Sequence, residues 1–418
     1  MTNDKKNVVW NMVGATANAF NSLLFSIIVT RINGIDDAGI FIYSFATACI
    51  LYVIGIYAGR TFQVTDISKK YSDTDYIYNK ITTCIVMMIV AISFVIIKQY
   101  DIYKSSIFIL VCLFRMLEAF CEGIYAIIQK NKQLYKVGIS MTIKAILGVL
   151  TFLIIDLITK NLIIACSSLI IINIFFIIFY DIKNIKKLEI TKTKYSKPIN
   201  KLLLKEGFFT FVLTILSLYV INAPRYAIDD LLKEDMQTIF GIIIMPATFM
   251  GLLGQYIIQP ILTKITEYLR QDDYKKIRKV TFSLLGLILV LGLIIWIVAY
   301  FLELPVLQIV YGVDLNPHFI SMMIIIAGSI LYSMSMILSS ILVSMRNTKL
   351  QSLIYLIVAI ISTITSYILV KEIDIKGASI TYFITMFLLT ISFIICVIYN
   401  VRKSIKNIEK KEEVLYGK

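Results

Sequence analysis

The 418-residue sequence contains one histidine, His318, and a lone imidazole supplies one ligand where a zinc site takes three or four. The six cysteines (Cys49, Cys84, Cys112, Cys121, Cys166 and Cys396) include no CxxC pair and all fall in apolar stretches, so they read as small packing residues, not as disulfides or metal ligands. No GxxxxGK[ST] motif is present, and no polar segment is long enough to hold a nucleotide-binding domain, which excludes an ATP-driven motor. Nothing in the sequence calls for a cofactor. Charged residues make up only 16% of the chain, against 58% hydrophobic.

That hydrophobic excess is organised into runs. A hydrocarbon core about 30 Å thick needs roughly 20 apolar residues per helix. Twelve candidate spans fit: 9–30, 38–59, 81–97, 105–128, 137–155, 162–180, 207–228, 239–260, 280–302, 318–343, 353–370 and 378–399. Backbone amides in lipid have no water to bond, so the runs must close their hydrogen bonds internally as helices. The expected fold is all-α and polytopic. Lys5 and Lys6 ahead of an apolar run, with Ala15-Thr16-Ala17 after it, mimic a signal peptide, but apolar character continues to Thr30 and favours an uncleaved first span.

The formal charge of +14 is a topology signal. With the amino terminus inside, the inner segments hold 31 Lys and Arg, the outer loops 7 and the spans 3, while acids divide 13 to 12 between inside and outside. A bias confined to Lys and Arg is the positive-inside pattern, which places both termini in the cytoplasm. It also supplies contacts to anionic lipid heads, and it removes the case for nucleic-acid binding.

The basic stretch 181–206, with eight lysines and Pro198, separates six spans from six. The expected organisation is a six-helix bundle at 1–180, a cytoplasmic linker at 181–206, a second bundle at 207–399 and a cytoplasmic tail at 400–418. An even number of spans per half makes any repeat parallel. A shift of 199 residues lays Ile40-Phe41 on Ile239-Phe240, Gly55 on Gly254 and Lys80 on Lys279; a shift of 216 lays Lys130-Asn131 and Leu134 on Arg346-Asn347 and Leu350. Two homologous bundles around a central cleft suit alternating access.

Ionisable groups at bilayer depth face protein or water and need partners. Five lie well inside the spans: Arg115, Glu118, Glu122, Lys144 and Arg225. Arg115, Glu118 and Glu122 follow i, i+3, i+7 spacing and share one helical face. Glu122 and Lys144 lie at nearly equal depth on either side of the turn between spans 4 and 5, which predicts a Glu122–Lys144 bridge. Two readings follow: self-neutralising pairs that lock the hairpin, or cations offered to an anionic substrate with a carboxylate that titrates. Arg60 and Arg31 close spans 2 and 1 and have topological explanations as well. Pro224, Pro246 and Pro260 are candidate hinges, because proline frees a carbonyl and bends a helix.

Several short segments carry a resemblance in their order along the chain. They are Asn11-Met12-Val13-Gly14, then Arg31-Ile32-Asn33-Gly34-Ile35-Asp36-Asp37-Ala38-Gly39, Asn222-Ala223-Pro224-Arg225-Tyr226, Tyr311-Gly312, and Ile375-Lys376-Gly377-Ala378, where lysine replaces an expected small residue. Taken together with the length and the six-plus-six spans, the chain resembles polysaccharide flippases of the multidrug/oligosaccharidyl-lipid/polysaccharide exporter superfamily, the group that includes O-antigen and capsule repeat-unit flippases. The resemblance implies a secondary transporter, not an enzyme, in a bacterial plasma membrane. Its substrate would be undecaprenyl-diphosphate carrying a short oligosaccharide, moved from the inner to the outer leaflet, with a polysaccharide polymerase or other export protein as a possible partner. Arg115, Lys144, Arg225, Arg60 and Arg31 would then meet the diphosphate, and Glu118 or Glu122 would serve ion coupling. A multidrug extruder of the same superfamily is the alternative, which an acidic cleft would favour. A membrane polymerase or ligase fits less well, because the longest outer loop carries no Lys or Arg.

Overall fold

The computed structural model describes residues 3–57, 59–64, 66, 70–345 and 347–416. Arg346, used above in aligning the two halves, lies outside the described residues. The chain is all-helical, with no strand among those residues. The helices are α1 (Asn3–Ile32), α2 (Ile35–Ile56), α3 (Gly59–Val64), α4 (Asp73–Lys98), α5 (Ile102–Lys130), α6 (Leu134–Thr159) and α7 (Leu162–Phe176). A π-helical stretch, Ile177–Ile182, runs from α7 into the short α8 (Lys183–Ile185). Then follow α9 (Lys197–Leu231), α10 (Glu234–Ile243), α11 (Met245–Arg270), α12 (Tyr274–Tyr311), α13 (Phe319–Ser344) and α14 (Thr348–Tyr416).

Local chemistry sets many of these boundaries. Ser72 and Asp75 form a reciprocal capping box at the start of α4, Asp101 caps α5, and Asn161 caps α7 by accepting from the amides of Ile163 and Ile164. Gly312, at φ 72°, ends α12 in the left-handed conformation that glycine tolerates. Helix α14 bends at Ile373 and Asp374, whose backbone is non-helical.

Among the described residues, ten helices are long and apolar enough to cross a membrane. The chain is therefore a multi-pass membrane protein. Helix α5 is not among the ten, because Arg115, Glu118 and Glu122 put three charges within one bilayer-length stretch. Helix α9 begins at Lys197, inside the stretch expected to be a linker, and α12 continues through Pro305 to Tyr311, inside the expected outer loop. Proline at 305 costs one backbone bond there without stopping the helix.

The chain divides into two compact units, residues 1–215 and 216–418. In the first, Phe25 lies at the centre of an aromatic cluster, 5.0 Å from Phe152 and 6.4 Å from Phe114 between ring centroids. Glycine permits the tightest crossing: a Cβ on Gly138 of α6 would stand 2.1 Å from the Trp10 carbonyl oxygen, and one on Gly14 of α1 would stand 2.6 Å from that of Gly138. Helices in lipid gain little from hydrophobic burial against one another, so close backbone approach at small residues carries much of the packing. In the second unit α13 is flanked by α11, α12 and α14, and Ser333 donates to the Met250 carbonyl at 2.6 Å. Gly55 of α2 abuts Ala119 of α5, while Gly254 of α11 abuts Ser333 of α13. The two glycines aligned by the shift of 199 thus each seat the second span of a half on its fourth.

Candidate functional site

A small cavity of about 30 Å³ lies within the first unit between α1, α2, α5, α6 and α7. Asn18 and Asn21 reach it from α1, Tyr52 from α2, Glu118 and Glu122 from α5, Lys144 from α6 and Asn173 from α7. The i, i+3, i+7 pattern puts the α5 ions on one inward face, as the helical period requires.

Arg115 donates to Glu118, one turn away. Its guanidinium also lies over the Tyr52 ring at 4.3 Å and the Phe45 ring at 5.6 Å, so the negative ring faces share its charge. The Arg115 Nε is nevertheless enclosed without a hydrogen-bond acceptor. That leaves a donor still available on a buried cation.

The expected Glu122–Lys144 bridge is not the pairing formed. Lys144 Nζ lies 2.5 Å from Asp181 Oδ2, and Glu122 faces Arg60, with Nε to Oε2 at 3.6 Å. Equal depth on two helices was the right condition but an insufficient one, because a third helix supplies a carboxylate closer to Lys144. Asp181 is fully enclosed and also accepts from Ser140 Oγ at 2.7 Å; Tyr125 and Cys121 each lie 3.2 Å from Lys144 Nζ. A buried carboxylate is tolerated only with such partners.

Asp181 is the residue that sequence reasoning missed. It falls in the stretch that composition marks as polar linker, whereas the helix carries on as a π stretch beyond Tyr180. The signal was the apolar recurrence at Ile182, Ile185 and Leu188, all of which pack against the inner cluster around Ile124 and Tyr125. Asn18, Asn21 and Asn173 were also passed over. Neutral amides carry no signature on a hydropathy reading.

Counted together, Arg60, Arg115 and Lys144 balance Glu118, Glu122 and Asp181. The three pairs are neutral when every group is ionised, and the buried Lys80 is close enough to act on Glu122 as well.

The remaining predicted residues lie elsewhere. Arg31 is exposed in the last turn of α1, where a cation complements the helix dipole. Arg225 belongs to the second unit, buried in α9 with its guanidinium 5.5 Å from the Phe240 ring and its carbonyl accepting from Gln237 Nε2 at 2.6 Å. Pro224 sits within α9 without interrupting it. Pro246 falls at the start of α11, directly after the break from α10 at Ile244, where its missing N–H leaves no bond unmade. Pro260 is on α11, its side chain outside the described set. No cluster of three His, Cys, Asp or Glu suited to a metal occurs among the described residues.

No protein-family model matches the sequence. The capsular polysaccharide biosynthesis protein CapF of Staphylococcus aureus is 25% identical over 397 residues, covering 93% of this chain and 98% of that protein. In structure, the chain is similar to an inward-facing multidrug resistance MATE family transporter of the MOP superfamily, with a TM-score of 0.71, 11% identity, and 95% and 99% of the two chains covered. It is similar also to the lipid II flippase MurJ in an inward closed conformation, with a TM-score of 0.70, 17% identity, and coverage of 98% and 92%. The chain shares its fold with these two transporters. A relative named for capsule synthesis and neighbours named as transporters agree with the resemblance that the ordered motifs carry.

Proposed function

We propose that this protein flips an undecaprenyl-diphosphate-linked oligosaccharide from the inner to the outer leaflet of a bacterial plasma membrane, by alternating access between two six-span halves with both termini cytoplasmic. The observation that carries this reading is the near end-to-end similarity to a capsule biosynthesis protein in a chain with a transporter fold. The site chemistry agrees. Arginine matches a phosphate oxygen pair geometrically, and Arg115 holds an enclosed Nε not committed to Glu118.

Neutrality of the three pairs suggests how transport couples to an ion gradient. A proton on Glu118 removes the anion that occupies Arg115, and a proton on Glu122 does the same for Arg60. Each protonation therefore exposes one cation to a diphosphate. Return of the carboxylate charge expels the anion, so carboxylate protonation and substrate occupancy alternate at the same arginines.

The deciding experiment is to delete the gene and assay lipid-linked oligosaccharide by leaflet. Accumulation on the inner leaflet with loss of surface polysaccharide is expected. No accumulation, together with new susceptibility to cationic dyes, would replace the flippase reading with that of a multidrug extruder.

A further inference from the structure

At the end of α6 remote from the cavity described above, Asp156 is fully enclosed, and Asn33, in the turn between α1 and α2, donates its Nδ2 to Asp156 Oδ1 at 3.1 Å. The other two oxygens of the pair, Asn33 Oδ1 and Asp156 Oδ2, are both enclosed without a hydrogen-bond donor. Two orphan acceptors on one amide–carboxylate pair are costly, because each gives up its water for nothing.

We infer that Asp156 is a proton-binding site, whose proton sits on Oδ2 and, directed at Asn33 Oδ1, closes a two-bond amide–acid ring between the α1–α2 turn and the end of α6. One proton turns an acceptor into a donor and so satisfies both orphan oxygens at once. No other single change does this without recruiting a cation or a water.

Burial and the neighbouring negative groups disfavour a charge at Asp156, against the single Asn33 donor that favours it. It stands in the last turn of α6, whose terminal carbonyls present negative potential, and its own carbonyl already accepts from Lys160 N at 2.8 Å. From α2, Asp37 faces it, with Asp36 beside that residue. From α5, Tyr103 pairs with Asp37; from α7, Cys166 is enclosed nearby. Asp37 lies in the first turn of α2 and is hydrogen-bonded by Tyr103, both of which favour its charge more than anything at the end of α6 favours that of Asp156. With its proton, Asp156 fastens the turn to α6. Without it, Asn33 Oδ1 and Asp156 Oδ2 are again left without a donor, and the Asn33 Nδ2 bond alone holds the turn to the helix.

The test is infrared difference spectroscopy on the purified full-length protein in lipid nanodiscs. Wild type at neutral pH should show a carboxylic acid carbonyl band that Asp156→Asn lacks and that shifts in Asn33→Ala. Asp156→Asn retains a donor and an acceptor toward Asn33, so it should fold as well as wild type and lose the pH dependence of thermal stability that wild type shows as the proton leaves. A spectrum of Asp156→Asn identical to wild type at neutral pH would overturn the inference, since Asp156 would then be ionised. A rise in melting temperature with sodium over choline chloride in wild type but not in Asp156→Asn would also overturn it, assigning the two oxygens to a cation. Neither readout depends on which substrate is transported.

Discussion

Lys144 of α6 closes a 2.5 Å ion pair on Asp181, a carboxylate delivered by the π-helical stretch that follows α7. Both groups are buried, so the interaction is set by what replaces water and not by Coulomb attraction alone. Asp181→Asn leaves a lysine charge enclosed without its counterion, and the expected loss is about 3–5 kcal/mol of stability, read as a lower melting temperature. Lys144→Met with Asp181→Leu should recover most of that loss. With Lys144 as a further cation for the diphosphate, as the resemblance implies, the double variant regains abundance but not polysaccharide export; export at the wild-type level would reduce the pair to a structural lock.

Arg115 and Glu118 call for the same treatment, because removing one alone strands the other. In Arg115→Gln with Glu118→Gln the net charge of the site is unchanged and both side chains keep hydrogen-bonding groups. Export of surface polysaccharide is expected to fall at least about a hundredfold, on the scale of losing a charge-assisted contact of roughly 3 kcal/mol, while protein abundance stays near wild type. Normal export from that variant would take Arg115 out of the mechanism.

These two sites show how far the sequence could be read. The all-helical membrane-spanning character, the ionic face of α5 and the inward lysine of α6 follow from length and period, because a bilayer penalises any other arrangement. Which carboxylate reaches Lys144 does not follow. Partner choice depends on where α7 ends, and the six-residue π stretch carries Asp181 past the boundary that hydropathy suggests. Asp156 was hidden for a similar reason: a carboxyl at a span end looks like loop solvation until its burial is known. Conversely, Gly14 and Gly377, noticed only as parts of resembling segments, have a steric reason in the fold. A Cβ on Gly377 would lie 2.0 Å from the Leu369 carbonyl oxygen across the bend in α14.

Glycine packing gives a prediction independent of transport. Gly138→Ala places a methyl against the Trp10 backbone, which cannot swing aside as a side chain would. Separation of α1 from α6 is expected to cost about 1–3 kcal/mol or more. Gly286→Ala, where nothing lies within 4 Å of the added methyl, is the matched control. Its melting temperature should equal or slightly exceed that of wild type, since alanine favours the helix by about 1 kcal/mol.

Asp273, just ahead of α12, accepts from the Lys276 amide at 3.1 Å and pairs with Lys276 Nζ at 2.8 Å. Both contacts favour the carboxylate and hold its pKa below the usual aspartate range, the Lys276 side chain first and its amide second. The stabilisation is accordingly present above the unfolded aspartate pKa and is lost as pH falls through the lower folded value. Amides in the first turn of α12 should exchange a few-fold faster below that range than at neutral pH, after correction for intrinsic rates. Asp273→Ala should show the faster rate at both; a pH-independent wild type would refute the cap.

The stretch between α8 and α9 is stitched to the start of α4 in spite of its lysine-rich composition. Thr191 donates to Asp73 Oδ2 through its amide at 3.1 Å and its hydroxyl at 3.0 Å, and Lys130 of α5 reaches Asp73 Oδ1 at 3.3 Å. Two residues on, the Thr193 amide donates to Thr74 Oγ1 at 2.7 Å and its hydroxyl to Asp75 Oδ1 at 2.9 Å. Lys192 and Lys194, between and beside these contacts, are exposed, which makes trypsin a direct probe of how firmly the segment is held. Cleavage requires the backbone to leave the α4 surface, so its rate follows the population of the detached state when reattachment is fast. Hydrogen bonds to a charged group contribute about 1.5–3 kcal/mol each, and Asp73→Ala removes two of them together with the lysine contact. Trypsin should therefore cut Asp73→Ala at Lys192 or Lys194 at least about tenfold faster than wild type. Thr193→Val, which keeps the amide contact and loses only the hydroxyl, should fall between the two. Equal rates in all three proteins would mean that the segment is held by α9 and not by α4.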